Sequence, residues 1–209
     1  MIMAKYNVLY NPLAGNGKGE NAAKKLKELL NGDELTFTDM TKVSDYRALF
    51  ASMPEDERVI VSGGDGTLNR FINDTEEVAF ANPVYYYATG SGNDFLKDIG
   101  GNVGDKPVCI DKYLKALPTV DVKGKSYRFI NGIGYGIDGY CCEMGDKLRE
   151  TSDKPINYAG IAIKGLLFHY KPRDAVITVD GINCPYKKVW LAPTMNGRYY
   201  GGGMKIAGT

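Results

Sequence analysis

The residues of this chain best suited to chemistry lie in three glycine-rich stretches. The densest is Val61-Ser-Gly-Gly-Asp-Gly-Thr-Leu-Asn69. Val59, Ile60 and Val61 form a β-branched apolar run that reads as a buried strand. Gly63, Gly64 and Gly66 then remove the side chains that would keep a ligand away from the backbone. Leu68, Phe71 and Ile72 fall on one face of a helix that starts near Thr67. A strand, a glycine turn and a helix start gather free amides and the positive end of a helix dipole at one point, and that arrangement binds anions. Asp65 lies inside the turn. A carboxylate there repels a phosphate unless it engages a cation or takes a proton. Asp65 is therefore the candidate catalytic residue and the candidate contact to a metal ion.

Two further stretches repeat the pattern: Tyr10-Asn-Pro-Leu-Ala-Gly-Asn-Gly-Lys18 and Gly90-Ser-Gly-Asn-Asp-Phe95. Each is expected to follow a strand (residues 6–10 and 84–87) and to precede a helix, the first over residues 20–30. Asp94 at a helix start also reads as a cap. The first stretch is not a P-loop, because G-x-x-x-x-G-K-[ST] has no match. Nor is it a full dinucleotide fingerprint, since G-x-G-x-x-G needs glycine where Glu20 stands. Asp39 lies at a ribose-binding distance downstream, which keeps an NAD-binding oxidoreductase as an alternative. A non-catalytic nucleotide-binding protein is another. Three strand–turn–helix units in series imply parallel strands with their turns on one edge, where open α/β sheets bind ligands.

The central stretch resembles the GGDGT signature of the diacylglycerol kinase catalytic domain, the family of bacterial lipid kinases and of sphingosine and ceramide kinases. The first and third stretches, and Asn196-Gly-Arg-Tyr-Tyr-Gly-Gly-Gly203, stand in that family's order. The resemblance implies ATP and Mg²⁺ as cofactors and transfer of the γ-phosphate to a lipid alcohol such as diacylglycerol or a sphingoid base. It implies nucleotide contacts from Asn11, Pro12, Gly15, Thr41, Gly63, Gly64, Gly66, Thr67, Ser91, Asn93 and Asp94. It places Asp138, within Asn131-Gly-Ile-Gly-Tyr-Gly-Ile-Asp-Gly139, at the acceptor hydroxyl. The chain departs from the family's pattern at Ala14, Arg70 and Ser91, where serine, glutamate and threonine are commoner. Family members also continue past the triple glycine, so the chain reads as a C-terminally shortened member with weak activity.

Stepping outward, the expected fold is α/β: an open parallel-sheet nucleotide-binding domain over residues 1–105, then a β-rich domain over 106–209, an antiparallel sandwich lacking its last strands. Hairpin turns are expected at Gly124 and at Asp180-Gly181. Residues 158–170 are nearly all apolar and read as a buried helix or as the wall of an acyl-chain channel. The chain has 209 residues, 44% of them hydrophobic, and a net charge of +1, so charge gives no case for a nucleic-acid partner. No apolar run reaches the roughly 18 residues of a membrane span. Met1-Ile-Met-Ala-Lys5 shows no signal peptide. Cys109, Cys141, Cys142 and Cys184 lack CxxC spacing and His169 is the one histidine, which argues for reduced thiols and against zinc. A cytoplasmic protein that meets the membrane surface peripherally is expected, with a homodimer left open.

Overall fold

The computed structural model describes residues 3–151 and 158–206. Expectations placed on Met1 and Ile2, and on residues 207–209, lie outside the described residues. The chain divides into two compact units. One comprises residues 1–131 and 196–209; the other, residues 132–195, is inserted into it. The expected boundary at 105 is thus displaced to 131. Residues 106–131 complete the first unit, because β5 (Val108–Cys109) adds to its sheet and Ile110, Phe129 and Ile130 are buried in that unit.

The first unit is built on a five-stranded sheet of order β2-β1-β3-β4-β5. β1 (Lys5–Tyr10), β2 (Glu34–Asp39), β3 (Arg58–Gly63) and β4 (Val84–Ala88) run parallel, and β5 runs antiparallel at the edge. β1 pairs with both β2 and β3, so the strand order reverses between β1 and β3. The central strands are apolar on both faces: Val8, Leu9, Val59, Ile60 and Val61 are fully buried. That is the pattern of a parallel sheet covered by helices on both sides.

On one face lie the kinked turn α1 (Ala14–Gly17), α2 (Gly19–Lys24) and α3 (Leu26–Leu29), with Ala23, Leu26 and Leu30 packed against Tyr6, Val8, Ile60 and Tyr87. The expected single helix over 20–30 is broken near Lys25, the residue between α2 and α3. On the other face, α4 (Tyr46–Ser52), α5 (Asp65–Asp74) and α6 (Asp94–Asp98) pack Phe50, Leu68, Phe71, Phe95 and Leu96 against Leu9, Val59, Val61 and Tyr86. Each such side chain contributes about 1.5–3 kcal/mol by leaving water. α4 is capped by Asp45, whose carboxylate accepts from the Ala48 amide at 3.1 Å, and not by Ser44. A short α7 (Asp111–Leu114) and the hairpin β6 (Thr119–Val122) to β7 (Lys125–Arg128) follow. Lys123 and Gly124 both take positive φ, the turn that matches strand twist.

In the second unit, β8 (Gly132–Gly136) leads into α8 (Ile137–Thr151) and, after the undescribed residues, α9 (Tyr158–Lys164) with a wide π-helical turn over Gly165–His169. β9 (Arg173–Val179) and β10 (Ile182–Val189) form the expected hairpin, with Asp180 and Gly181 at positive φ. β11 (Leu191–Met195) pairs antiparallel with β8. The β-rich region expected as a sandwich is thus a set of two-stranded antiparallel ladders among the described residues. α8 was not expected: its moderate amphipathicity is masked by the glycines just before it. The 158–170 segment is not a buried helix either. Ile163, Leu166, Leu167 and Phe168 are exposed, Phe168 at 76%. β12 (Tyr199–Tyr200) and β13 (Met204–Lys205) return to the first unit.

Candidate active site at the glycine corners

The three glycine stretches meet at the C-terminal margin of the parallel sheet. The first joins the second through Asn11, whose Nδ2 donates to Thr67 Oγ1 at 3.0 Å. The Asn11 amide also donates to Ser62 O at 3.2 Å. The second touches the third backbone to backbone: a Cβ on Gly64 would lie 3.0 Å from Gly90 Cα, and one on Gly90 would collide with Gly64 Cα. The Thr89 amide bonds Gly63 O at 2.8 Å. The first touches the third at Gly15 (φ +58°), where a Cβ would sit 2.9 Å from Thr89 O. Glycine is required at 90 by this approach, and favoured at 64, whatever they bind.

The sequence explains the local geometry. β3 ends where Gly63 allows Thr67 to fold back over it, since a Cβ there would overlap the threonine side chain. Gly63 O accepts from the Tyr86 hydroxyl at 3.2 Å as well as from Thr89. Burial, with the Asp65 charge nearby, pushes the Tyr86 hydroxyl well up and keeps its proton on. The tyrosine run 85–87 is therefore sheet and core packing. In the third corner, Asn93 stands at φ +53° and closes the loop by accepting from the Gly90 amide at 3.1 Å and donating to Gly90 O at 2.7 Å. Asn93 and Asn11 thus brace the corners with their side chains.

Asp65 opens α5, and its carboxylate serves a different helix. Its Oδ2 accepts from the Asp94 amide at 2.9 Å and its Oδ1 from the Phe95 amide at 3.0 Å. It caps α6 from another element, satisfying two of the orphan amides at that helix start. Asp94 is therefore not the cap of its own helix. It is buried, its Oδ2 accepts from the Gly202 amide at 2.9 Å, and its buried Oδ1 has no partner among the described residues. Gly92 fits between the two: a Cβ there would lie 3.3 Å from Asp65 Oδ2 and 3.5 Å from Gly202 Cα.

Some backbone donors remain open. The amides of Gly64, Asp65 and Gly66 at the start of α5, and of Ser91 and Gly92, donate to no protein acceptor among the described residues. Gly66 and Ser91 are exposed, so water or a ligand reaches them. α6, by contrast, has given the amides of Asp94 and Phe95 to Asp65.

Thr41 lies just past β2, on the same margin as the corners. Its amide and its hydroxyl donate to Asp39 Oδ1 at 2.9 and 2.7 Å. The hydroxyl bond is the main cause that lowers the Asp39 pKa. Pro12 follows Asn11 on the rim, half-buried. Asp138 belongs to the second unit, in the first turn of α8 against Gly134. Its buried Oδ2 has no partner among the described residues, and burial raises its pKa.

The 196–203 segment carries none of the expected site residues, yet it borders the third corner. The segment closes over α6: Arg198 Nε donates to Asp98 Oδ1 at 2.7 Å, Lys97 Nζ to Gly202 O at 3.0 Å, and Asn196 Nδ2 to Ile130 O at 2.7 Å. Its triple glycine was the available signal; Gly201, Gly202 and Gly203 all take positive φ.

No cluster of three metal-ligating side chains occurs among the described residues, and no helix among them is long and apolar enough to cross a membrane. The family description "Diacylglycerol kinase catalytic domain" matches residues 5–123. A protein named "Putative lipid kinase YtlR" from Bacillus subtilis (strain 168) is 24% identical over 230 residues, covering 98% of this chain and 73% of that one. Two structures from Bacillus anthracis str. Sterne share the fold. One, titled "A putative diacylglycerol kinase", has a TM-score of 0.56 at 23% identity, over 97% of this chain and 70% of that one. The other, titled as diacylglycerol kinases, has a TM-score of 0.53 at 21% identity, over 97% and 68%. With more than half its length matched and its glycine corners gathered on one sheet margin, the chain belongs to the diacylglycerol kinase catalytic domain family.

Proposed function

We propose that this chain binds MgATP along the glycine corners and transfers the γ-phosphoryl group to the hydroxyl of a lipid alcohol, such as diacylglycerol or a sphingoid base. The observation that carries the reading is the convergence of the corners at the strand-order reversal, with the amides of Gly64, Asp65 and Gly66 unspent. A reversal point at the carboxyl ends of parallel strands is where such sheets take ligands. Phosphoryl transfer asks the protein mainly for positioning and charge neutralisation. The open amides supply donors for phosphate oxygens, and Gly15, Gly63, Gly64 and Thr67 fix where those donors stand. MgATP supplies the phosphoryl group and the cation that offsets its charge.

The residues fit a cation held chiefly by phosphate and water, the usual arrangement for Mg²⁺ at nucleotide sites. Asp94 Oδ1 is a buried carboxylate oxygen with no partner among the described residues, and Asp65 stands beside it, accepting from the Asp94 and Phe95 amides. Asp65 acts first by position: it ties the second corner to the third and leaves its remaining lone pairs toward Gly92. Thr41 and the exposed Ser91 complete the proposed nucleotide contacts. Asp138, with one oxygen unpartnered inside its own unit, is the proposed partner of the acceptor hydroxyl. The setting is the cytoplasmic face of a membrane, met peripherally.

A thermal-shift series with MgATP, ADP and NAD tests the nucleotide, and release of ADP in the presence of each acceptor tests the transfer. MgATP is expected to raise the melting temperature and NAD to leave it unchanged. A shift with NAD alone would overturn the reading. A MgATP shift without turnover on any lipid alcohol would reduce it to nucleotide binding.

A further inference from the structure

A cavity of about 330 Å³ lies against α2 and α3, on the face of the first unit's sheet opposite α5 and α6. The phosphoryl-transfer reading does not use it. Its volume is at the low end of the roughly 300–1,000 Å³ of small-molecule sites. A single water, with about 30 Å³ of liquid volume, fills little of it. Leu29, Tyr87 and Val103 give it apolar walls. Tyr87 is buried beneath it, whereas Val103 stands 63% exposed in the loop after α6.

Two polar features interrupt that lining. On the inner side, Thr89 Oγ1 is buried and has no partner among the described residues. Buried hydroxyls are normally hydrogen-bonded, so this one is open to a ligand. On the outer side stand Lys25 and Glu28, both exposed and of opposite charge. Among the described residues neither forms an ion pair, although the neighbouring Lys24 and Glu20 pair at 2.6 Å. Apolar walls, an open hydroxyl inside and an unpaired cation and anion at the rim match a small zwitterion whose apolar body ends in a hydrogen-bonding group. A hydroxyaromatic α-amino acid has that form. An acyl chain would leave the hydroxyl and both charges unmatched.

The cavity shares its inner side with the third corner. Thr89 and Gly90 line it, and the same two residues meet the second corner: the Thr89 amide donates to Gly63 O at 2.8 Å, and Gly90 packs on Gly64. A ligand at Thr89 therefore bears on the peptide that sets where the third corner stands.

We propose that this cavity binds a hydroxyaromatic α-amino acid, its carboxylate at Lys25, its ammonium at Glu28 and its hydroxyl at Thr89, and that occupancy changes the affinity of the corners for nucleotide. The binding stands apart from the nucleotide reading; the coupling rests on it.

Isothermal titration calorimetry of the full chain with tyrosine, phenylalanine, tyramine and desaminotyrosine tests the site. Tyrosine is expected to bind. Phenylalanine lacks the hydroxyl, tyramine the carboxylate and desaminotyrosine the ammonium; each should bind roughly fivefold less tightly, the weight of one hydrogen bond or one exposed ion pair. Thr89→Val removes the hydroxyl with little change of shape and should erase the preference for tyrosine over phenylalanine. Lys25→Gln should erase the preference for tyrosine over tyramine while leaving the melting temperature and the MgATP shift in place, because Lys25 is exposed. The site is overturned if tyrosine does not bind, if any of the three analogues binds as tightly, or if the variants keep the wild-type preferences. Titrating MgATP with tyrosine present tests the coupling: nucleotide affinity should change by about fivefold or more, and tyrosine affinity by the same factor with MgATP present. Unchanged nucleotide affinity would overturn the coupling. Tyrosine binding by a chain that ignores MgATP would leave the site standing and remove the nucleotide reading, and the coupling with it.

Discussion

Asp65 begins one helix and caps another. Both its oxygens accept amide hydrogens from the start of α6, so the side chain holds two loops together before it does any chemistry. Asp65→Asn replaces one acceptor with a donor that faces an amide. A buried donor left unpaired costs about 1–3 kcal/mol, and each kcal/mol lowers the melting temperature by about 2–4 °C at this size. The variant is therefore expected to melt several degrees lower and to lose turnover, with calorimetry and ADP release as the readouts; an unchanged melting temperature would show that the cap is not formed. Asp138 makes a pH prediction. Its pKa is raised by burial, so the folded chain binds that proton more tightly than the unfolded one. Its contribution to stability is present below the ordinary carboxylate value and is lost as pH rises through the raised one. Asp138→Asn should remove that slope, leaving the second unit less sensitive to pH in urea melts near and above the ordinary carboxylate range.

At the scale of elements, the corners are set by what they lack. The contact between Gly64 and Gly90 leaves no room for a methyl group on Gly90 and little on Gly64. Gly90→Ala should push the third corner off the second, eliminate the MgATP thermal shift, and destabilise by about 1–3 kcal/mol, the usual cost of overpacking. A retained MgATP shift in that variant would place the nucleotide elsewhere. The same elements show what sequence patterning conveys. Alternation and β-branched runs marked β1, β3 and β4, since buried parallel strands are apolar on both faces. The two hairpin turns were marked by Gly124 and by Asp180-Gly181, because positive φ is affordable only to a few residue types. The break at Lys25 and the cap at Asp45 were not marked, because packing outweighs propensity over such short spans; α8 was hidden by the glycines that precede it.

For the molecule as a whole, the chain order is an insertion: residues 132–195 form a unit of their own, and residues 196–206 come back to the first. The return is fastened by Arg198 to Asp98, by Lys97 to Gly202 O, and by Asp94 to the Gly202 amide. Arg198→Ala should speed hydrogen exchange at residues 199–205 by about tenfold, as a local opening with little change in global melting. Exchange at wild-type rates would mean that the fastening resides in Lys97 and Asp94 instead. The family and the α/β class followed from the sequence by itself, because short glycine turns between apolar runs are local signals that a linear chain displays in full. Only the tertiary structure decided that Asp65 spends its carboxylate on α6, that Asn11 and Asn93 brace the corners, and that residue 202 meets residue 94. Apart from the local pair of Asn93 with Gly90, those are contacts between residues 29 to 108 positions apart, chosen by which surfaces packing brings together and invisible to any short window of sequence.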